Sequence, residues 1–127
     1  MKLLLLAACG GAIGSAARYL VGVGMGRWLG VSAAFAWPTL VVNVVGCFLM
    51  GFLIETLALR LNGSQELRVF LATGVLGGFT TFSAFALDFS VLVGRKQELM
   101  AGLYVAASVG VSIVALYLGL WLARQVW

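Results

Sequence analysis

Residues 69–87 read VFLATGVLGGFTTFSAFAL: no charge in 19 residues, with Gly74, Gly77 and Gly78 followed at once by Thr80, Thr81 and Ser83. The stretch is apolar enough to cross a membrane and too rich in glycine and hydroxyls to do so as a plain helix. In hydrocarbon every backbone N–H and C=O must find a partner inside the protein, so irregular backbone at mid-depth survives only where it is buried in protein or lines a polar cavity. A break near Gly77–Thr80 is therefore a candidate ion site, although the same glycines also suit close packing of two helices. Phe82 and Phe85, three apart, are expected on one helix face just after the hydroxyls, with Phe79 one turn earlier.

The rest of the chain supports a membrane reading. Of 127 residues, 63% are hydrophobic and 9% charged, and the mean hydropathy is +1.12; a soluble domain of this size has too little interior for that apolar surface. Uncharged runs cover 3–17, 28–54, 69–87 and 99–123. A spanning helix needs about 20 mostly apolar residues, so four spans fit, at about 3–26, 33–58, 66–93 and 98–124, with Arg18 inside the first. A cleaved leader is the rival reading of Lys2 and LLLLAA, but the apolar pattern continues from Gly11 to Gly26. The expectation is a single all-α transmembrane domain over residues 1–127, with short turns at Gly30-Val31-Ser32, at residues 61–66 around Asn62-Gly63 and at residues 94–98. Trp37-Pro38 falls near the start of the second span, and Ser64 with Glu66 and Leu67 suits a helix start.

Four spans place Lys2, Arg60, Arg68 and Arg124 on one side and Arg27, Arg95 and Lys96 on the other, with Arg18 unassigned. The difference is nearly zero, so the positive-inside rule gives little bias and the chain can insert both ways up. Such a chain can form an antiparallel homodimer about a two-fold axis in the membrane plane; a single orientation chosen by weak bias is the alternative. Gly10-x-x-x-Gly14 and Gly22-x-x-x-Gly26 on the first span, and Gly46 and Gly51 on the second, permit close helix approach without saying which helices meet.

An enzyme is not expected. The chain has no His, its cysteines lie 38 positions apart, its acids are only Glu55, Glu66, Asp88 and Glu98, and no phosphate-binding loop or nucleic-acid motif is present. What remains are polar groups at membrane depth, which are costly and so functional by default. Asn43 interrupts WPTLVVNVVGCFLMG with Thr39 one turn before it; its amide can donate to an anion or bond another helix. Tyr104, Ser108 and Ser112, at spacings of four, share one face of the fourth span as a polar track, although serines also bond back to their own helix. Arg18 favours an anion over a cation, or else snorkels to the interface.

The segment Gly74-Val75-Leu76-Gly77-Gly78-Phe79-Thr80-Thr81-Phe82-Ser83-Ala84-Phe85 resembles the third-helix signature of the Fluc (CrcB) fluoride channels. Gly10-Gly11-Ala12-Ile13-Gly14 with Arg18-Tyr19, and Thr39-Leu40-Val41-Val42-Asn43, resemble the first two helices of that family. Ala84 departs from it, where a Thr is frequent, and so does Trp37-Pro38, where a Gly is common. The resemblance implies an antiparallel, dual-topology homodimer in a bacterial inner membrane, with two narrow fluoride pathways and a structural Na⁺ at its centre. It places Phe82 and Phe85 in the pathways beside Asn43, with Tyr104, Ser108 and Ser112 as a hydroxyl track; Thr81, Ser83 and Arg18 are expected along the ion pathway as well. It also gives the backbone carbonyls of Gly77 and Thr80 to Na⁺. The implied role is passive export of F⁻, which relieves fluoride toxicity: neutral HF enters, dissociates inside, and an inside-negative potential favours anion exit by about 2.3 kcal/mol per 100 mV. Two other classes remain. A small dual-topology multidrug exporter needs an intramembrane acid, for which only Asp88 offers itself, and a non-transporting subunit of a membrane complex would use the glycines alone.

Overall fold

A computed structural model describes residues 1–30 and 35–127; Val31 and Ser32 of the first expected turn lie outside the described residues. Regular structure among the described residues is helical, and four helices are long and apolar enough to cross a membrane. The first is α1 (Lys2–Leu29) and the second α2 (Trp37–Arg60). The third span is composite: α3 (Gln65–Arg68), a π-helical segment (Val69–Leu76), the single turn α4 (Gly77–Phe79), and α5 (Phe82–Gly94). The last is α6 (Glu98–Val126).

Local chemistry sets most of these boundaries. Pro38 sits in the first turn of α2, where its missing N–H costs nothing. Asn62 and Gly63 both take positive φ, at 48° and 62°, and turn the chain back. The Ser64 hydroxyl then accepts the Leu67 N–H at 3.4 Å and starts α3. α5 ends with Lys96 at φ 56°, and the N–H groups of Lys96 and Gln97 close onto the carbonyls of Val93 and Leu92 at 2.9 and 3.0 Å, a Schellman arrangement.

The helices associate as two parallel pairs that run in opposite directions. In one pair, α1 lies along the first half of the third span with backbone against backbone. A Cβ at Gly10 would strike the Phe70 carbonyl and lie 2.9 Å from Gly74 Cα; one at Gly14 would strike the Val75 carbonyl and lie 2.8 Å from the Phe79 nitrogen. Lys2 pairs with Glu66 at 2.6 Å where both segments begin. In the other pair, α2 and α6 meet through Gly51, whose Cβ would strike the Leu116 carbonyl, and Gly119, whose Cβ would strike the Phe48 carbonyl. Arg124 reaches Glu55 at 2.7 Å and the Trp127 indole N–H donates to Thr56 at 3.1 Å where those two helices end. Gly10-x-x-x-Gly14 thus finds its partner within the chain. Among the described residues, nothing beyond the local helix lies within 4 Å of a Cβ built at Gly22 or Gly26.

At the break the third span changes partners. α5 leaves α1 and packs on α6, where Phe85 and Leu92 join Leu40, Ala101 and Tyr104 in a buried cluster. Among the described residues the end of α1 has no such cover: Leu20 is 66% and Trp28 92% exposed, surfaces for lipid or another chain.

Candidate functional site

The third span breaks at Thr80 and Thr81, whose backbones are extended at φ −80°, ψ 157° and φ −153°, ψ 123°. The preceding π-helical turn is visible in the Gly77 N–H, which donates to Ala72, five residues back, as well as to Gly74. Thr80 closes the first half: its N–H and its hydroxyl both donate to the Leu76 carbonyl at 3.0 Å. Thr81 opens the second, its hydroxyl accepting the Ala84 N–H at 3.2 Å as an N-cap. Two extended residues therefore separate Phe79 from Phe82, and Phe79 does not continue the face of Phe82 and Phe85 as an unbroken helix would require.

Asn43 clamps the break from α2. Its Oδ1 accepts the Thr81 N–H at 2.8 Å and its Nδ2 donates to the Thr81 carbonyl at 2.9 Å. An unbroken α-helix would give the Thr81 N–H to Gly77 and the Ala84 N–H to Thr80. Both donors are taken by side chains instead, and no hydrogen bond reaches the Gly77 or Thr80 carbonyl among the described residues. Gly78 differs, since Ser15 on α1 donates to its carbonyl at 3.5 Å. Gly77 itself has a helical φ of −64°, and a Cβ there would make only ordinary contact with Ala72 O at 3.5 Å. The fold of one chain does not require glycine at that position.

Between the two helix pairs lies an open groove of about 420 Å³, lined by Asn43, Cys47, Gly77, Thr80, Thr81, Phe82, Phe85, Ser108, Val109, Ser112 and Ile113. Eight of these were expected from sequence. Phe82 lies 77% exposed and Phe85 only 8%, with ring centroids 5.3 Å apart. Phe85 in turn stacks on Tyr104 at 5.4 Å. The hydroxyls of Ser108 and Ser112 are buried without a hydrogen bond of standard geometry among the described residues, so two hydroxyls sit just behind the groove wall without a well-formed partner. They fall on the buried stripe of α6 formed by Ala101, Tyr104, Ser108, Ser112, Ala115, Gly119 and Ala123.

Three expected residues lie off the groove wall. Tyr104 is fully buried behind Phe85, and its hydroxyl donates to Asp88 at 3.0 Å. Ser83 is exposed, with its hydroxyl 3.3 Å from that of Thr81. Arg18 is half-buried on α1, one turn past Gly14. The sequence alone left Cys47 out of the site and offered Asp88 only as the acid that an exporter would need. The signal for Asp88 was its place three residues after Phe85, on the face that turns toward α6.

Residues 5–120 match the family described as CrcB-like protein, Camphor Resistance (CrcB). The chain belongs to this family. It is 54% identical to the fluoride-specific ion channel FluC of Chelativorans sp. (strain BNC1), over 97% of each chain. It is 51% identical to the protein of the same name from Rhizobium meliloti (strain 1021), over 98% of each. A third, from Rhodospirillum centenum (strain ATCC 51521 / SW), is 51% identical over 98% of this chain and 97% of its own length. These relatives are bacterial, and each matches this chain over nearly the whole of both sequences.

Proposed function

We propose that this chain is a fluoride-selective passive channel of a bacterial inner membrane. Relatives named fluoride-specific ion channels match it over almost its whole length. The observation that gives this a physical place is the groove, where one amide, two phenyl rings and two unpartnered hydroxyls meet at a broken helix. A small anion shed of water needs donors without a competing cation-binding carboxylate, and such a wall supplies them. One Nδ2 hydrogen of Asn43 is held by Thr81 and the other is left for an anion. Phenyl edges carry positive potential and their faces negative, so tilted rings favour F⁻ at their rims. Tyr104 lies behind Phe85 and fixes its ring, with Asp88 turned away from the groove by its bond to the phenol.

The carbonyls of Gly77 and Thr80 fit the donor set of a hard monovalent cation. Both lack their helical donors and both are on the groove wall. Na⁺ bound there would supply positive charge to offset the cost of an anion at low dielectric. Exposure of Gly77 and Phe82 in the single chain fits a second copy packed against them, and the near balance of basic residues fits an antiparallel one. The multidrug-exporter reading is not favoured: the acid it needs, Asp88, is bonded to Tyr104.

The direct test is purified protein in liposomes with a fluoride electrode. Fluoride efflux down its gradient is expected, with chloride held back and no dependence on a sodium gradient of either sign; uphill fluoride movement driven by sodium would overturn the passive reading. Topology has its own test. C-terminal reporter fusions should show both orientations, and two or three lysines added near Asn62 should bias insertion and lower the yield of active dimer.

A further inference from the structure

We infer that Asn43 and Thr81 are positioning residues for the cation site, because they create its ligands by taking the hydrogen-bond donors that the carbonyls of Gly77 and Thr80 would otherwise accept. The inference rests on the reading that those two carbonyls hold Na⁺. Along a continuous helix each would be closed by an N–H four residues on. The Thr81 N–H lies 2.8 Å from Asn43 Oδ1 and the Ala84 N–H lies 3.2 Å from Thr81 Oγ1. Asn43 also donates to the Thr81 carbonyl at 2.9 Å. One side chain on α2 thus holds both polar groups of a residue on the third span and keeps it extended. The break frees the Phe79 carbonyl too, but Phe79 is off the groove wall, whereas Gly77 and Thr80 are on it.

A group that only lined the anion path would have no effect on cation affinity. A group that withholds a donor from a ligand carbonyl acts as an outer-shell partner, whose loss usually costs about 10–100-fold in metal affinity. Asn43→Leu removes the acceptor for the Thr81 N–H, which can then return to Gly77. Thr81→Val removes the cap, so that the Ala84 N–H can return to Thr80. Thr81→Ser keeps a hydroxyl, whereas Asn43→Asp keeps the acceptor oxygen but sets a carboxylate oxygen against the Thr81 carbonyl.

The experiment measures sodium directly, on purified full-length protein exchanged from Na⁺ into N-methylglucamine buffer. Sodium retained per chain is read by atomic emission, and the unfolding midpoint is followed as NaCl is added back. The wild type should retain sodium or be stabilised by it; Asn43→Leu and Thr81→Val should each need about tenfold more Na⁺ or more. Thr81→Ser should stay close to the wild type, and Asn43→Asp is expected to lose fluoride flux. Wild-type sodium behaviour in Asn43→Leu or Thr81→Val would overturn the positioning role while leaving the cation reading intact. If neither of those variants folds, loss of sodium from Thr81→Ser, which keeps both the capping hydroxyl and the backbone N–H held by Asn43, would overturn it. A wild type that neither keeps sodium nor responds to it would remove the cation reading itself, and this inference with it.

Discussion

The two halves of the third span come from one uncharged stretch, yet they are held in different ways. The first half, 65–79, lies against α1 through Gly10, Gly14, Gly74 and Gly78, with backbone atoms nearly in contact. The second, α5, is held by bulk: Phe85 and Leu92 fill the space between Leu40, Ala101 and Tyr104. Glycine seams are rigid in separation because any side chain opens them, whereas a cluster of large side chains can repack. The break sits where one kind of contact gives way to the other. The groove residues gather there because the span must leave α1 to reach α6.

The harshest way to break the contrast is a side chain in the seam. Gly14→Val should leave almost no monodisperse protein on size-exclusion chromatography, since even its Cβ would overlap the Val75 carbonyl. Gly11→Ala, whose Cβ meets nothing within 4 Å, should purify normally.

On the other half, the two phenylalanines should separate. Phe85→Ala should lower the thermal midpoint and also flux, because the ring is buried against Tyr104; burying a Phe side chain contributes about 1.5–3 kcal/mol by apolar transfer. Phe82→Ile should reduce fluoride efflux with little change in midpoint, since that ring is 77% exposed in the chain. Equal midpoint losses would mean that Phe82 is as deeply packed as Phe85 in the assembled protein.

The smallest effect is expected at the junction itself. Thr80→Ser keeps the hydroxyl that donates to Leu76 and loses only the methyl that faces Gly46. Its cost should stay below about 1 kcal/mol, the scale of one buried methylene. Flux should be close to wild type, because any ligand at this residue comes from the backbone.

Much of this site was legible in the sequence. Asn43, Thr80, Thr81, Ser108 and Ser112 stand out because a polar group is expensive in hydrocarbon, Gly77 because it belongs to a glycine-rich break, and Phe82 and Phe85 through their shared face and the family resemblance; all eight line one groove. The number of spans follows from apolar run length in the same way. Helix partners were not legible: a glycine at spacing four announces a close approach to something, and only the folded chain shows that Gly10 and Gly14 meet the π-helical turn while Gly51 meets α6. The double bond from Asn43 to Thr81 was also hidden, because an amide that can donate to an ion and one that can splint a backbone are the same residue type. The contact made by Asp88 was hidden for a further reason. Its partner Tyr104 is 16 positions away, and the register between α5 and α6 is set by side-chain volume, which no short motif records.

The pairing of α1 with the third span, and of α2 with α6, has a consequence for how the protein is made. In each parallel pair the two members are separated in the chain by a whole intervening span. Neither seam can close while only the first two helices are in the bilayer. Until the third arrives, Gly10 and Gly14 face lipid or any other small-residue helix within reach; until the fourth arrives, so does Gly51. Packing therefore starts only with the third span and is completed only with the fourth, and a chain arrested after its second span would present open seams to its neighbours in the membrane.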